Sequence, residues 1–172
     1  MTTDIVTSKN SKKKAAALFA AIALVWLVFD RLTKMYFEGA YELGQAGTNC
    51  GLFRFTLVHN TGAAWGMFGN STFALGITSS IVCVLIAFAF AFWEKLAGHA
   101  PNILETLALA LVFSGGLGNA IDRFSQLYVV DFIDFTFIDF PVFNIADIGV
   151  TCGFVLLVVG YLLATRKEDA HV

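Results

Sequence analysis

Charge is what this chain has least of. Asp, Glu, Lys and Arg make up only 14% of its 172 residues, against about 25% in an ordinary soluble domain. With 58% hydrophobic residues and a mean hydropathy of +0.74, that scarcity excludes intrinsic disorder, which needs high charge and few apolar groups. It also excludes a soluble globule, which at this length could not hide so much apolar surface. Net charge is −2, so no nucleic-acid partner is expected. Proline occurs twice against 18 phenylalanines, again the reverse of a disordered chain. The three cysteines, Cys50, Cys83 and Cys152, lie too far apart for a disulfide framework or a zinc site. His59, His99 and His171 are equally scattered, which argues against a His-based metal site. There is no glycine-rich phosphate loop and no G-x-S-x-G elbow. What remains is a membrane protein of few spans.

Four stretches are long and apolar enough to cross a bilayer: residues 15–37, 73–93, 103–121 and 148–164. The first, preceded by Lys12, Lys13 and Lys14, has the outline of a signal peptide. It ends in Phe29-Asp30-Arg31-Leu32-Thr33-Lys34 rather than in a small-residue cleavage site, so it reads as a retained span. Of the 11 basic residues, seven (Lys9, Lys12, Lys13, Lys14, Lys95, Arg166, Lys167) fall on one side of this arrangement. The positive-inside rule then places both termini in the cytoplasm and the segments 38–72 and 122–147 outside. The alternation in Phe53-Arg54-Phe55-Thr56-Leu57-Val58 predicts a short strand within the glycine-rich segment 38–72. That segment is expected to be mobile and able to cover a site. No internal repeat is visible, and residues 1–172 read as one domain.

Because charge near a bilayer is costly, each charged residue there is a functional candidate. Asp4, Glu168 and Asp169 belong to the tails, Glu38, Glu42 and Glu94 read as solvated loop residues, and Glu105 reads as able to reach the interface. The remaining acids, Asp30, Asp122, Asp131, Asp134, Asp139 and Asp147, all map to the outer side, as do Arg31, Lys34, Arg123, Asn60, Asn119 and Asn144. Asp30 and Lys34 have the spacing of a helical ion pair. Asn119, Asp122 and Arg123 share a helix face, after Gly115, Gly116 and Gly118, which permit close helix approach. Both groups read as structural bracing. Asp131 lies in an apolar stretch. Asp147 opens the fourth span, where an N-cap role is the simplest account. Two carboxyls brought together in a poorly solvated site would divide their ionisation, one a base and the other an acid. The residues alone allow Asp134 or Asp139 as a rival partner. A pair between His59 and Ser71 or Thr61, or between Lys34 and a serine, is the other hydrolytic possibility. A transporter or proton relay, and a purely structural membrane protein, are the rival classes. Transport needs polar groups at several depths, whereas here they gather at one face.

Five blocks carry a resemblance. They are Asp30-Arg31-Leu32-Thr33-Lys34, Asn60-Thr61-Gly62-Ala63-Ala64-Trp65-Gly66, Gly115-Gly116-Leu117-Gly118-Asn119-Ala120-Ile121-Asp122-Arg123, Val129-Val130-Asp131-Phe132 and Phe143-Asn144-Ile145-Ala146-Asp147. In this order, over residues 25–164, the chain resembles the bacterial lipoprotein signal peptidases, or type II signal peptidases. The resemblance implies an all-α membrane protein, a four-helix bundle with a small extracytoplasmic β-cradle and a short periplasmic helix. It implies an aspartic endopeptidase of the bacterial cytoplasmic membrane, multi-pass, with its active site near the outer face. Its substrate would be a prolipoprotein whose lipobox Cys already carries diacylglycerol, cut just before that Cys, with no metal or organic cofactor. Asp131 and Asp147 would be catalytic. Asn60, Gly62, Asn119, Asp122, Arg123, Asn144 and Ala146 would bind substrate or support the site, and Asp30 and Lys34 would be structural. A monomer among membrane lipids is expected. The chain departs from the family pattern at Arg31, where Gln is common, and at Ile148-Gly149, where a small hydroxylated residue is often seen. It also lacks a His between residues 135 and 141.

Overall fold

The computed structural model describes residues 2–63 and 71–169, with side chains for residues 11–63 and 71–163. Five helices and three strands follow in the order α1 (Thr2–Ala40), β1 (Ala46–Asn49), β2 (Phe53–Asn60), α2 (Thr72–Ala91), α3 (Trp93–Ala97), α4 (Ile103–Ser125), β3 (Val129–Phe135) and α5 (Ile145–Asp169). Four helices are long and apolar enough to cross a membrane, over Ser11–Ala40, Thr72–Ala91, Ile103–Ser125 and Ile145–Leu163. The expected spans are therefore present. The first, third and fourth helices run several residues further than the apolar stretches, because helices continue into polar sequence wherever caps and packing support them, whereas the second ends at Ala91, two residues short of the expected end. Asp4, Glu168 and Asp169, in the tails, are helical.

Helix α4 is the core of the bundle. Over half (56%) of its most apolar window is buried, against 17% or less in the other three spans. Those three present Leu24, Phe73, Val84, Phe88, Phe154 and Tyr161 outward, as a lipid-facing surface requires. At its start Asn102 accepts a hydrogen bond from the Glu105 N–H (2.9 Å), and the Glu105 carboxylate accepts one from the Asn102 N–H (2.8 Å). This capping box satisfies two otherwise orphaned donors and gives Glu105 a structural role. Lys12 of α1 pairs with Glu94 of α3 at the same end.

Small residues let α4 touch its neighbours. A Cβ on Gly115 would run into the Ala146 carbonyl of α5. A Cβ on Gly118 would lie 2.6 Å from the Asp30 carboxylate of α1. Asp30 is pinned by bonds to Lys34 and Ala146 and cannot swing aside. Gly118→Ala is therefore expected to cost about 1–3 kcal/mol by overpacking, read as a lowered Tm in detergent. Gly39→Ala, whose Cβ would meet nothing within 4 Å, should leave Tm unchanged or slightly raised.

The strands form an antiparallel sheet in the order β1-β2-β3. The strand expected over residues 53–58 is present and extends to Asn60. Most of the segment read as a mobile loop is thus the end of α1 and the β1–β2 hairpin, while residues 64–70, which include Ala64, Trp65 and Gly66 of the second block, lie outside the described residues. Strand β3 has no alternating pattern because Val129, Val130, Asp131 and Phe132 are all buried. The pairing Val58↔Asp131 brings it against β2. Phe37 of α1 stacks on Phe132 of β3 at 4.1 Å between centroids. With Leu57, Val130 and Ile145 they form the core that joins sheet to bundle. Among the described residues the one short helix is α3, at the end of the bundle away from the sheet, so a second short helix beside the sheet is not among the described elements.

Candidate active site

Where α4 ends and α5 begins, the chain concentrates its buried polar groups. Asp30, Lys34, Asn119, Asp122, Asp131 and Asn144 are each 7% exposed or less. Such groups are tolerated when they are paired, and here they are hydrogen-bonded or ion-paired to one another.

Asp147 is the third residue of α5, and the N-cap is Asn144, three residues before the Asp147 expected from the sequence. The Asn144 side chain accepts from the Asp147 N–H (2.9 Å) and the Asp147 carboxylate accepts from the Asn144 N–H (3.1 Å). This reciprocal capping box fixes the carboxylate at the helix N-terminus, where the backbone dipoles favour negative charge. Its other oxygen accepts from the Asn119 amide at 2.7 Å. Asp131 comes from β3. One oxygen accepts from Asn60 (2.9 Å) and the other from Asn144 (2.7 Å). Asn60 is itself oriented by the Gly62 N–H, which donates to its side-chain oxygen at 3.0 Å. Asn144 therefore holds both carboxyls, one through its side-chain amide and one through its backbone. Burial first, and then the charge of Asp147, push Asp131 up to about 8.

Behind this pair lies the second layer. Lys34, with no exposed surface, sits 2.9 Å from Asp30, 2.9 Å from Asp122 and 3.0 Å from the Asn119 side-chain oxygen. The ammonium donates to the Asn119 oxygen and is within ion-pair distance of both carboxylates. A cation on the Asn119 oxygen leaves its amide nitrogen to face Asp147. The free oxygen of Asp30 accepts from the Ala146 N–H at 2.9 Å, and the Trp26 indole donates to the Ile145 carbonyl at 3.1 Å. The expected Asp30–Lys34 pair is thus present, but as the buried centre of a network joining α1, α4 and α5 rather than as an interfacial neutralisation. Asp122 joins that network and also accepts from Arg31 (3.3 Å). Arg123, one residue further round α4, points away from it. Arg123 lines the cavity beside Asp131 and Asp147, with Ser79 of α2 at 3.4 Å.

The rival assignments find other partners. Asp134 receives Arg54 at 2.6 Å and Thr56 at 2.9 Å within the sheet, and Asp139 is exposed. His59 stacks on Tyr128 at 3.8 Å and lies 3.3 Å from Glu38. Tyr128 donates to the same carboxylate at 3.0 Å, so Glu38 is a bridging group rather than a solvated one. The groups holding Lys34 are carboxylates and an amide, not a serine. Polar side chains deeper in α4 are satisfied by their own helix, Thr106 on the Asn102 carbonyl and Ser114 on that of Leu111. Among the described residues they form no polar path through the bundle.

Asp131 and Asp147 share a cavity of about 410 Å³. Phe135, Phe140 and Phe143 wall it on one side, and Ile148, Thr151 and Cys152 continue it along α5. Two adjacent carboxyls, one holding its proton, can activate a water and protonate a carbonyl oxygen together. The role of Asn144 as the link was legible only as a spacing: Asn-x-x-Asp is a capping-box pattern.

The Peptidase_A8 family, described as signal peptidase (SPase) II, matches residues 22–163. The chain is similar to the lipoprotein signal peptidase of Nostoc punctiforme, with 38% identity over 90% of this chain and 96% of that one. It is similar to that of Staphylococcus aureus, also at 38% identity, over 88% and 92%. A solved structure of a bacterial membrane enzyme, obtained by the in meso method at 2.3 Å resolution, superposes with a TM-score of 0.79 and 31% identity over 87% of this chain and 90% of that one. A carboxyl pair between a strand and a helix start, in a four-span bundle matching these relatives nearly end to end, leaves one conclusion: the chain belongs to the signal peptidase II family.

Proposed function

We propose that Asp131 and Asp147 are the catalytic pair with which this protein cuts its substrate. Membership of the family makes it a peptidase that removes signal peptides from prolipoproteins. The observation that carries the assignment is the shared Asn144: the buried Asp131 and the half-buried Asp147, from different elements, are bonded to one residue at the mouth of an apolar cavity. In this reading Asp147 is the base: it sits at the α5 N-terminus, where the helix dipole favours negative charge, and it accepts from Asn119 and from the Asn144 backbone. It takes a proton from a water while Asp131 gives its proton to the scissile carbonyl oxygen. The resulting tetrahedral intermediate collapses as the proton on Asp147 passes to the leaving amine and Asp131 recovers its own. Asn60, Gly62, Asn119, Asn144 and Ala146 orient the pair. Arg123 faces the same cavity and offsets its negative charge. Two carboxyls and a water suffice for these steps.

The charge distribution supports the placement. With seven of 11 basic residues on one side, the site end faces the outer surface of the bacterial cytoplasmic membrane. The three-stranded sheet is then an extracytoplasmic cradle, the whole chain is one domain, and it works as a monomer among membrane lipids. At that depth the substrate is a precursor whose Cys already carries diacylglycerol, and the cut falls just before that Cys. Purified protein in detergent should convert such a precursor to a product whose mass begins at the lipidated Cys. Uncut precursor would refute the assignment.

A pH prediction follows from Asp131. Below about 8 it keeps its proton and can act as the acid; above that value it ionises. Cleavage should therefore fall on the alkaline side, by about tenfold per pH unit well above 8. A rate that rises steadily from pH 7 to 10 would contradict an acid role.

A further inference from the structure

Asp131 stands between two cavities of similar size, the first mainly apolar and the second mixed. The first, described above, runs along the membrane-embedded face of α5. The second, also about 410 Å³, lies over the end of β2 and carries His59, Asn60, Thr61 and Asp139. The two share Asn60, Ala63, Asp131 and the segment Phe140, Pro141 and Val142. A peptide whose scissile bond lies at Asp131 must therefore enter by one and leave by the other.

Substrate chemistry decides which end goes where. The signal segment and the acyl chains are apolar and stay at the bilayer. The residues after the lipid-bearing Cys belong to a water-soluble chain and need a polar way out. The second cavity supplies it. Its charged groups are few. His59 is engaged by Glu38, and Arg54, on the neighbouring sheet, is taken by Asp134. Among the described residues no cation pairs with Asp139, which is exposed on the wall.

We propose that this second cavity is an exit subsite for the residues that follow the lipid-bearing Cys, and that Asp139 makes it favour a basic over an acidic residue there. The proposal rests on the reading that Asp131 and Asp147 cut before that Cys. The test uses the full-length protein in detergent and three synthetic diacylglyceryl peptides. They differ only in the residue immediately after the lipidated Cys, which is Lys, Gln or Asp. The expected order of kcat/KM is Lys, Gln, Asp. The Lys-to-Asp ratio should be about fivefold, the scale of solvent-exposed ion pairs. It should lie in KM and shrink in about 0.5 M salt. In Asp139→Asn the ratio should fall to about one, and in Asp139→Lys it should invert. Each ratio is taken within one variant, so it does not depend on how much protein folds. A ratio near one in the unaltered protein, or one unchanged by both substitutions, would overturn the subsite. Failure to cut any of the three peptides would instead overturn the catalytic reading.

Discussion

Asp131→Asn and Asp147→Asn are each expected to lower the cleavage of a lipidated precursor by about 10²–10⁴-fold, the usual weight of a positioned acid or base. The substitution is nearly isosteric, so the loss reports chemistry more than packing. Neither amide can replace the carboxyl. Each Asp131 oxygen accepts from a side-chain amide, of Asn60 and of Asn144. Each Asp147 oxygen likewise accepts from Asn119 or the Asn144 backbone. An Asn at either place turns an NH2 toward a donor. On the proposed mechanism it also takes away a proton acceptor or donor. The double variant should be no worse than the poorer single one, because groups that act as a unit lose their effect together. A gel-shift assay in detergent reads all three, with thermal unfolding to show that the fold persists. Asp134→Asn, whose carboxylate holds Arg54 instead, is the contrast and should retain cleavage. Wild-type rates in either Asp131→Asn or Asp147→Asn would remove that residue from the pair.

Lys34→Met should unfold the protein most readily of any single change considered. It would leave Asp30 and Asp122 facing one another's surroundings inside the bundle without the cation that both touch at 2.9 Å. Breaking a buried ion cluster in this way costs about 3–5 kcal/mol, most of it from the uncompensated charge left behind. The sign of the coupling checks the mechanism. Asp30→Asn combined with Lys34→Met should be more stable than Lys34→Met alone, because the second change removes a stranded charge. A double-mutant cycle on thermal unfolding in detergent measures this. Equal Tm values for Lys34→Met and the unaltered protein would mean that the cluster contributes nothing to stability.

The spans were legible because a bilayer demands a long uncharged run, and few other structures produce one. The end of the bundle that carries the site was legible for the converse reason: charge is so costly near lipid that its position stands out. Strand β3 was not legible. Burial on both faces removes the alternation that marks a strand, and Val129-Val130-Asp131-Phe132 reads equally well as a piece of helix. The pairing of Asp131 with Asp147, rather than with Asp134 or Asp139, was open from the residues alone. It turns on the β2–β3 register, which places Asp134 opposite Arg54, and register depends on contacts 70 to 80 residues apart. The family resemblance pointed to the pair, and the Asn144 capping box accounts for it physically. Lys34 looked like half of a local ion pair because spacing along one helix cannot reveal Asp122 and Asn119 arriving from another.

The Ala146 N–H bond to Asp30 has a consequence for biogenesis. The first turn of α5 is finished by a carboxylate 116 residues earlier in the chain, held in place by a lysine that also needs α4. Asp131 likewise depends on Asn60 from β2. A chain still entering the membrane, with its last helix undocked, has neither an assembled carboxyl pair nor the amides that aim it. On the proposed catalytic reading, cleavage therefore requires α1, α4, α5 and the sheet to be docked together.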